Sequence, residues 1–302
     1  MTDPRPSFVW MDRGLLPADG RHLSAFDRAF QLGDGIFETL RAQGGRVTEL
    51  REHTARLRRS AEGLAIELPE GLDGLLERGI AELLAANGLD GAGADASIRV
   101  TVSRGSWASR GLLPPLGEVL TPTVVIQAWP VAPAPVGHLE RGLSLVASAI
   151  RRDPGNPIVT LKTTSRADYV YARLEARRAG AEDALFLTVS GYLSEGTTAN
   201  IFLVRGAADG VTELATPSLD CAILPGTTRS WLLRWAASVG LRPVEGWLTP
   251  DELAAASEAF MSSSVAGVLP VTRFNGHPIG AGVPGPWTLR ARADREAFIR
   301  GA

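Results

Sequence analysis

The chain has 302 residues, a formal net charge of −2 and 45% hydrophobic residues, the balance of a globular enzyme of one or two domains. That charge argues against nucleic acid or an anionic membrane as the main partner, and no run approaches the roughly 20 apolar residues of a membrane-spanning helix. A single cysteine, Cys221, excludes an internal disulfide framework, and His22, His53, His138 and His277 show no ligand spacing, so no metal is expected.

The first residues, Met1-Thr2-Asp3-Pro4-Arg5-Pro6, carry no apolar core of a signal peptide, and the expected location is cytoplasmic. A strand is predicted from Gly35 to Arg41. Helical spacing follows from Leu50 to Gly63, with Leu50, His53, Leu57 and Ala61 on one face. A second helix is predicted from Leu72 to Ala86, stopped by Asn87-Gly88. Strands are predicted from Ser97 to Arg104 and from Thr123 to Ala128. The alternating prolines of residues 129–138 read as an extended interdomain linker. They divide an N-terminal domain, 1–128, from a C-terminal one, 139–302.

Beyond the linker, strands are predicted from Leu143 to Ile150 and through the apolar run Ile158 to Thr164, then a helix from Thr164 to Ala179. Strands from Ala184 to Val189 and from Ala199 to Val204 flank a polar turn. A helix opens at Gly226-Thr227-Thr228. Strands at Ala259-Phe260-Met261 and from Val268 to Phe274 follow, and Asn275-Gly276 marks a hairpin. Helices and strands mix without strict βαβ alternation, so the expected class is α+β with mixed sheets rather than a dinucleotide-binding fold.

Lys162 stands out chemically, being the only lysine in the chain. Arginine cannot replace lysine in Schiff-base chemistry, because guanidinium stays protonated. A packed stem with a snorkelling head is the plainer alternative. Other residues join Lys162 if the ligand is a phosphate-bearing aldehyde cofactor. Glu195, between a strand and a Gly/Thr turn, could pair with a protonated pyridine nitrogen. Leu224-Pro225-Gly226-Thr227-Thr228 opens a helix, where unpaired N–H groups favour an anion. Ser264 ends Met261-Ser262-Ser263-Ser264 with a further hydroxyl. Arg56, beside Leu57 and near His53, points partly inward and there needs an anion. Taken singly, the plainer readings are preferred: a turn acid, a capped helix and a surface arginine, with a polar loop the alternative for Ser264.

The motifs in order, Asp27-Arg28-Ala29-Phe30-Gln31-Leu32-Gly33-Asp34-Gly35-Ile36-Phe37-Glu38-Thr39-Leu40-Arg41, Arg51-Glu52-His53-Thr54-Ala55-Arg56-Leu57, Lys162-Thr163-Thr164, Ser194-Glu195-Gly196-Thr197-Thr198-Ala199-Asn200 and Leu224-Pro225-Gly226-Thr227-Thr228-Arg229, resemble the class IV aminotransferases, the fold-type IV pyridoxal-phosphate enzymes. The resemblance runs from about Met11 to Gly276. It implies a two-domain homodimer that binds pyridoxal 5′-phosphate. Lys162 would be the Schiff-base lysine and proton carrier, Glu195 the partner of the pyridine nitrogen, and Arg56, Thr227, Thr228 and Ser264 the phosphate ligands. Arg28, Phe37, Arg99 and Arg110 are the expected substrate residues. Ala167 stands five residues after the lysine, where branched-chain members place a tyrosine, and Thr39 follows Phe37-Glu38 where they place glycine. The expected activity is amino transfer from a small D-amino acid or (R)-amine to a 2-oxoacid. Lysis of aminodeoxychorismate to 4-aminobenzoate and pyruvate, and branched-chain L-amino-acid transamination, stand as alternatives.

Overall fold

The computed structural model describes residues 5–12, 14–132 and 137–301. These fall into two compact units: residues up to Ala132 together with Leu161–Arg166, and residues 137–160 together with those from Ala167 onward. The lysine-bearing segment therefore packs with the first unit, not with the second where a continuous domain would put it.

The first unit comprises β1 (Phe8–Met11), β2 (Gly14–Pro17), α1 (Arg28–Leu32), β3 (Gly35–Gln43), β4 (Arg46–Val47), α2 (Leu50–Gly63), α3 (Leu72–Ala86), β5 (Asp95–Ser103) and β6 (Thr123–Pro130). Its strands form a six-stranded sheet in the order β2-β1-β6-β5-β3-β4, antiparallel throughout. Period-two alternation turns Ala96, Ile98, Val100 and Val102 of β5, with Ile36, Leu40 and Ala42 of β3, into the core. There they pack with Leu57 and Ala61 of α2 and Leu72, Leu76, Ile80, Leu83 and Leu84 of α3. Each fully buried leucine or isoleucine contributes about 1.5–3 kcal/mol. The same parity sends Phe37 on β3 and Arg99 on β5 to the opposite face of the sheet.

The second unit holds α4 (His138–Arg141), β7 (Leu143–Arg152), a 3₁₀ turn (Pro157–Thr160), α5 (Ala167–Arg178), β8 (Asp183–Thr188), β9 (Leu193–Gly196), β10 (Asn200–Gly206), β11 (Thr212–Pro217), a 3₁₀ turn (Leu219–Cys221), α6 (Thr227–Ser238), β12 (Arg242–Gly246), α7 (Pro250–Ala255), β13 (Glu258–Ser263), β14 (Gly267–Phe274), β15 (His277–Pro278) and α8 (Pro286–Arg300). Its nine-stranded sheet runs β12-β11-β10-β13-β14-β7-β8-β9, with β15 hairpinned onto β14. The pairs β11–β12, β14–β7 and β7–β8 are parallel and the others antiparallel. Asn275 and Gly276 take φ values of 50° and 82° between β14 and β15, as a type I′ hairpin turn requires.

Four expectations need correction. Ile158 to Thr164 is no strand: Asn156 caps the Ile158 N–H at 3.0 Å, Pro157 cannot donate to a ladder, and the chain turns through Pro157–Thr160. The polar turn before Ala199 contains β9, whose four residues are all buried. Strand β6 continues to Pro130, where Ala96 pairs with it, so the linker is shorter than 129–138; its Pro133-Ala134-Pro135-Val136 lies outside the described residues. Finally, β1, β2, α1, β4, α4, β11, β12, α7 and α8 were not foreseen, most being short or lacking a clean period. No helix among the described residues is long and apolar enough to cross a membrane.

Candidate active site

In the first unit, sheet register explains where Lys162 sits. Strand β4 pairs only with Ala42 and Gln43 of β3, which leaves the Gly35–Phe37 end of that edge open. Residues 162–164 occupy it. Phe37 N–H donates to the Lys162 carbonyl at 2.9 Å, Thr164 N–H to the Gly35 carbonyl at 2.8 Å, and Ile36 bridges Thr163. Lys162 N–H in turn donates to Ser60 Oγ on α2 at 3.1 Å. Three hydrogen bonds thus fix the root of this side chain.

Its amine lies 4.7 Å from the centroid of the buried Phe37 ring. The Arg99 guanidinium lies 3.9 Å from the same ring, and that of Arg166 5.7 Å. A cation over an aromatic face is favourable, but three cations on one ring repel one another. Burial, then the charge of Arg166, hold the Arg99 pKa below its usual value. The cluster is electrostatically poised for an anion.

Arg56 points into the core and is 3% exposed. Its Nε and Nη2 donate to the two carboxylate oxygens of Glu38, each at 2.7 Å, and His53 Nδ1 meets Glu38 Oε2 at 2.7 Å. Burial pushes the Glu38 carboxyl up, but the hydrogen bonds and charge of Arg56, then of His53, outweigh it and hold the group at about 2. The core-facing parity of β3 explains why an acid lies under α2 at all: a buried arginine needs a charged partner.

Arg28 is committed elsewhere. It is 1% exposed, pairs with Asp34 at 2.8 Å, and donates to the Gly111 and Leu112 carbonyls at 3.3 and 2.5 Å. It clamps the loop that follows Trp107. Asp34 is shared with Arg104 at 2.8 Å. Burial raises the Asp34 carboxyl, and the two arginines more than reverse that. Arg110 is exposed on the same loop.

In the second unit, Glu195 on β9 is 5% exposed. Its Oε2 accepts from Leu224 N–H at 2.9 Å and from Asn200 Nδ2 at 3.3 Å. Asn200 also donates to the Leu224 carbonyl at 3.1 Å, tying Glu195 to the segment that opens α6. There Gly226 is an extended N-cap that supplies no side-chain cap. A Cβ on Gly226 would lie 2.1 Å from Asn200 Oδ1, so only glycine permits this approach. Thr227 Oγ1 lies 3.3 Å from Ser264 Oγ, while Thr228 Oγ1 accepts from Arg295 at 3.2 Å. A helix N-terminus ringed by hydroxyls fits a phosphate. The second unit therefore groups Glu195, Thr227, Thr228 and Ser264, and the first groups Lys162, Phe37 and Arg99, with Arg56 on its core side.

Sequence reasoning missed Asn200, Arg166, Arg152 and Arg295. Asn200 lies five residues after Glu195 inside the Ser194–Asn200 motif, a signal the sequence does carry; the arginines carry no local signal in a chain so rich in that residue.

The family model for amino-transferase class IV matches residues 35–274. A putative branched-chain-amino-acid aminotransferase of Methanocaldococcus jannaschii is 35% identical over 90% of this chain and 89% of its own length. A T.th. branched-chain amino acid aminotransferase, solved with pyridoxamine 5′-phosphate, superimposes with a TM-score of 0.87 at 29% identity, over 98% of this chain and 95% of that one. A putative 4-amino-4-deoxychorismate lyase of Legionella pneumophila reaches a TM-score of 0.79 at 25% identity, over 91% of this chain and 94% of that one.

Proposed function

The chain belongs to the class IV aminotransferase family and is a pyridoxal 5′-phosphate-dependent aminotransferase; on that premise we propose that it passes an amino group from an amino acid to a 2-oxoacid, with Lys162 as the cofactor-binding and proton-carrying residue. When bound, the cofactor supplies an aldehyde that condenses with amines and a ring that accepts electron density from the substrate Cα. The chain's own residues do the rest. Lys162 Nζ takes the proton from Cα and delivers it again on the same face. Arg99 receives the substrate carboxylate, with the Phe37 ring as floor. Glu195 takes the hydrogen bond of the ring nitrogen. The α6 N-terminus with Thr227, Thr228 and Ser264 would bind the phosphate, and Arg56, which Glu38 holds on the core side of the first unit, is a phosphate ligand on the family resemblance alone. The observation that carries this reading is the Lys162 amine and the Arg99 guanidinium on one aromatic ring, at 4.7 and 3.9 Å from its centroid.

Branched-chain L-amino acids are the first donors to test, because that is the name the relatives bear. A D-amino acid or (R)-amine donor remains the second reading. It is favoured by Ala167 in place of the tyrosine and by Thr39 in place of glycine. Lysis of aminodeoxychorismate is the third. Leu112, Leu113 and Leu116 are exposed on the loop that Arg28 clamps, which supports a homodimer covering them; sedimentation should give twice the 32.0 kDa of one chain. The deciding experiment follows the absorbance of the bound cofactor on mixing with L-leucine, D-alanine, (R)-1-phenylethylamine or aminodeoxychorismate. Conversion to the amine form with L-leucine alone supports the first reading, and conversion with D-alanine or the (R)-amine supports the second. Pyruvate from aminodeoxychorismate with no amine conversion contradicts amino transfer.

A further inference from the structure

Arg152, the last residue of β7, has no place in the mechanism so far, yet its side chain is costly. It is 5% exposed and lies beside two aromatic rings, 4.9 Å from the Tyr169 centroid and 5.3 Å from that of Phe186. Those rings meet edge to face at 5.3 Å, and the guanidinium packs against both of them. Nη1 donates to Asp168 Oδ2 and Nη2 to the Val159 carbonyl, both at 3.3 Å. Its buried Nε has no hydrogen-bond partner among the described residues. A buried arginine with an unsatisfied N–H needs a reason to be there.

Nη2 also lies 3.6 Å from Glu195 Oε1, a Coulombic approach rather than a hydrogen bond. Neutral donors hold the other oxygen of that carboxylate, Leu224 N–H and Asn200 Nδ2. Burial depresses the Arg152 pKa, but the charge of Glu195 is the largest of the effects that raise it above its usual value. The coupling is mutual: the guanidinium is a buried counter-charge to Glu195.

We propose that Arg152 is a positioning residue for the reaction: packed against Tyr169 and Phe186, it keeps Glu195 a carboxylate, so that the proton shared with the cofactor's ring nitrogen stays on the nitrogen. The inference rests on the reading of Glu195 as the partner of that nitrogen. Without the guanidinium, the proton crosses from the ring nitrogen to Glu195. The pair keeps the same total charge, but the ring loses the positive charge that makes it an electron acceptor. Lysine at this position would retain the charge and lose the guanidinium's packing against the rings.

The test is the ¹⁵N chemical shift of ring-labelled pyridoxal phosphate in the reconstituted full-length protein, with half-reaction rates beside it. Wild type and Arg152→Lys should show a protonated ring nitrogen. Arg152→Gln and Glu195→Gln should both show an unprotonated one, with the amino-transfer half-reaction slowed about tenfold or more. Arg152→Met provides a second neutral variant should the glutamine form not fold, and circular dichroism verifies folding. A protonated nitrogen in Arg152→Gln or Arg152→Met together with an unprotonated one in Glu195→Gln would overturn the role of Arg152 alone. A protonated nitrogen in Glu195→Gln itself would overturn the reading of Glu195, and this inference with it.

Discussion

Glu38 in the first unit and Asp183 in the second are both buried acids beside an arginine, 1% and 4% exposed, yet their surroundings move them in opposite directions. Glu38 receives both nitrogens of one edge of Arg56, and the carboxyl is held at about 2. Asp183 meets Arg173 at 3.4 Å, through a side chain that is 47% exposed. Burial therefore prevails and its pKa is raised, despite Arg173, Thr197 and the Ala184 N–H. Bidentate geometry inside the core overcomes desolvation, and a single contact through a solvated arm does not. The difference matters for function, because Glu38 fixes an arginine proposed to hold phosphate. Asp183 instead ties down Thr197, through a 2.6 Å hydrogen bond next to Gly196 at the end of β9.

The sharpest way to break this contrast is to remove each arginine. Arg56→Met leaves Glu38 buried without its main counter-charge and should destabilise the apo-protein by about 3–5 kcal/mol in urea unfolding. It should also weaken cofactor binding. Arg173→Met should cost only about 0.2–1 kcal/mol. Equal costs would show that geometry is not what separates the two sites.

Acid titration gives the next largest effect. The Glu38 pKa is depressed on folding, so its contribution is complete above its ordinary value of 4.5 and is lost as pH falls towards about 2. Over that window wild type should lose about 3 kcal/mol more than Glu38→Gln. The Asp183 pKa is raised, so its contribution is present at low pH and fades as pH rises through the folded value. Relative to Asp183→Asn, wild type should therefore gain stability on acidification, the opposite sign. Parallel pH profiles for the two acids would contradict the account.

What the sequence revealed follows from the same physics. Helices α2 and α3 and strands β3, β5 and β6 were legible because one face of each meets a single core, which prints a clean period of apolar residues. The inward turn of Arg56 was legible from its place beside Leu57, but its partner Glu38 was hidden inside an apolar strand. Strand β9 was not legible because its buried positions include Ser194 and Glu195, satisfied by the Ala222 carbonyl and the Leu224 N–H, contacts that no local pattern predicts. Lys162 was found by its uniqueness, although the strand predicted around it is a 3₁₀ turn followed by a short bridge. The loop contacts of Arg28 were not legible either, because Gly111 and Leu112 lie 83 and 84 residues away in the chain.

The most direct test of the central claim compares wild type with Lys162→Arg in a single-turnover half-reaction, each loaded with cofactor and mixed with the best donor of the panel. The account predicts conversion of the cofactor to its amine form with release of a 2-oxoacid in wild type, and a rate lower by roughly 10²–10⁴-fold in the variant. A variant that turns over at the wild-type rate would contradict the role of Lys162.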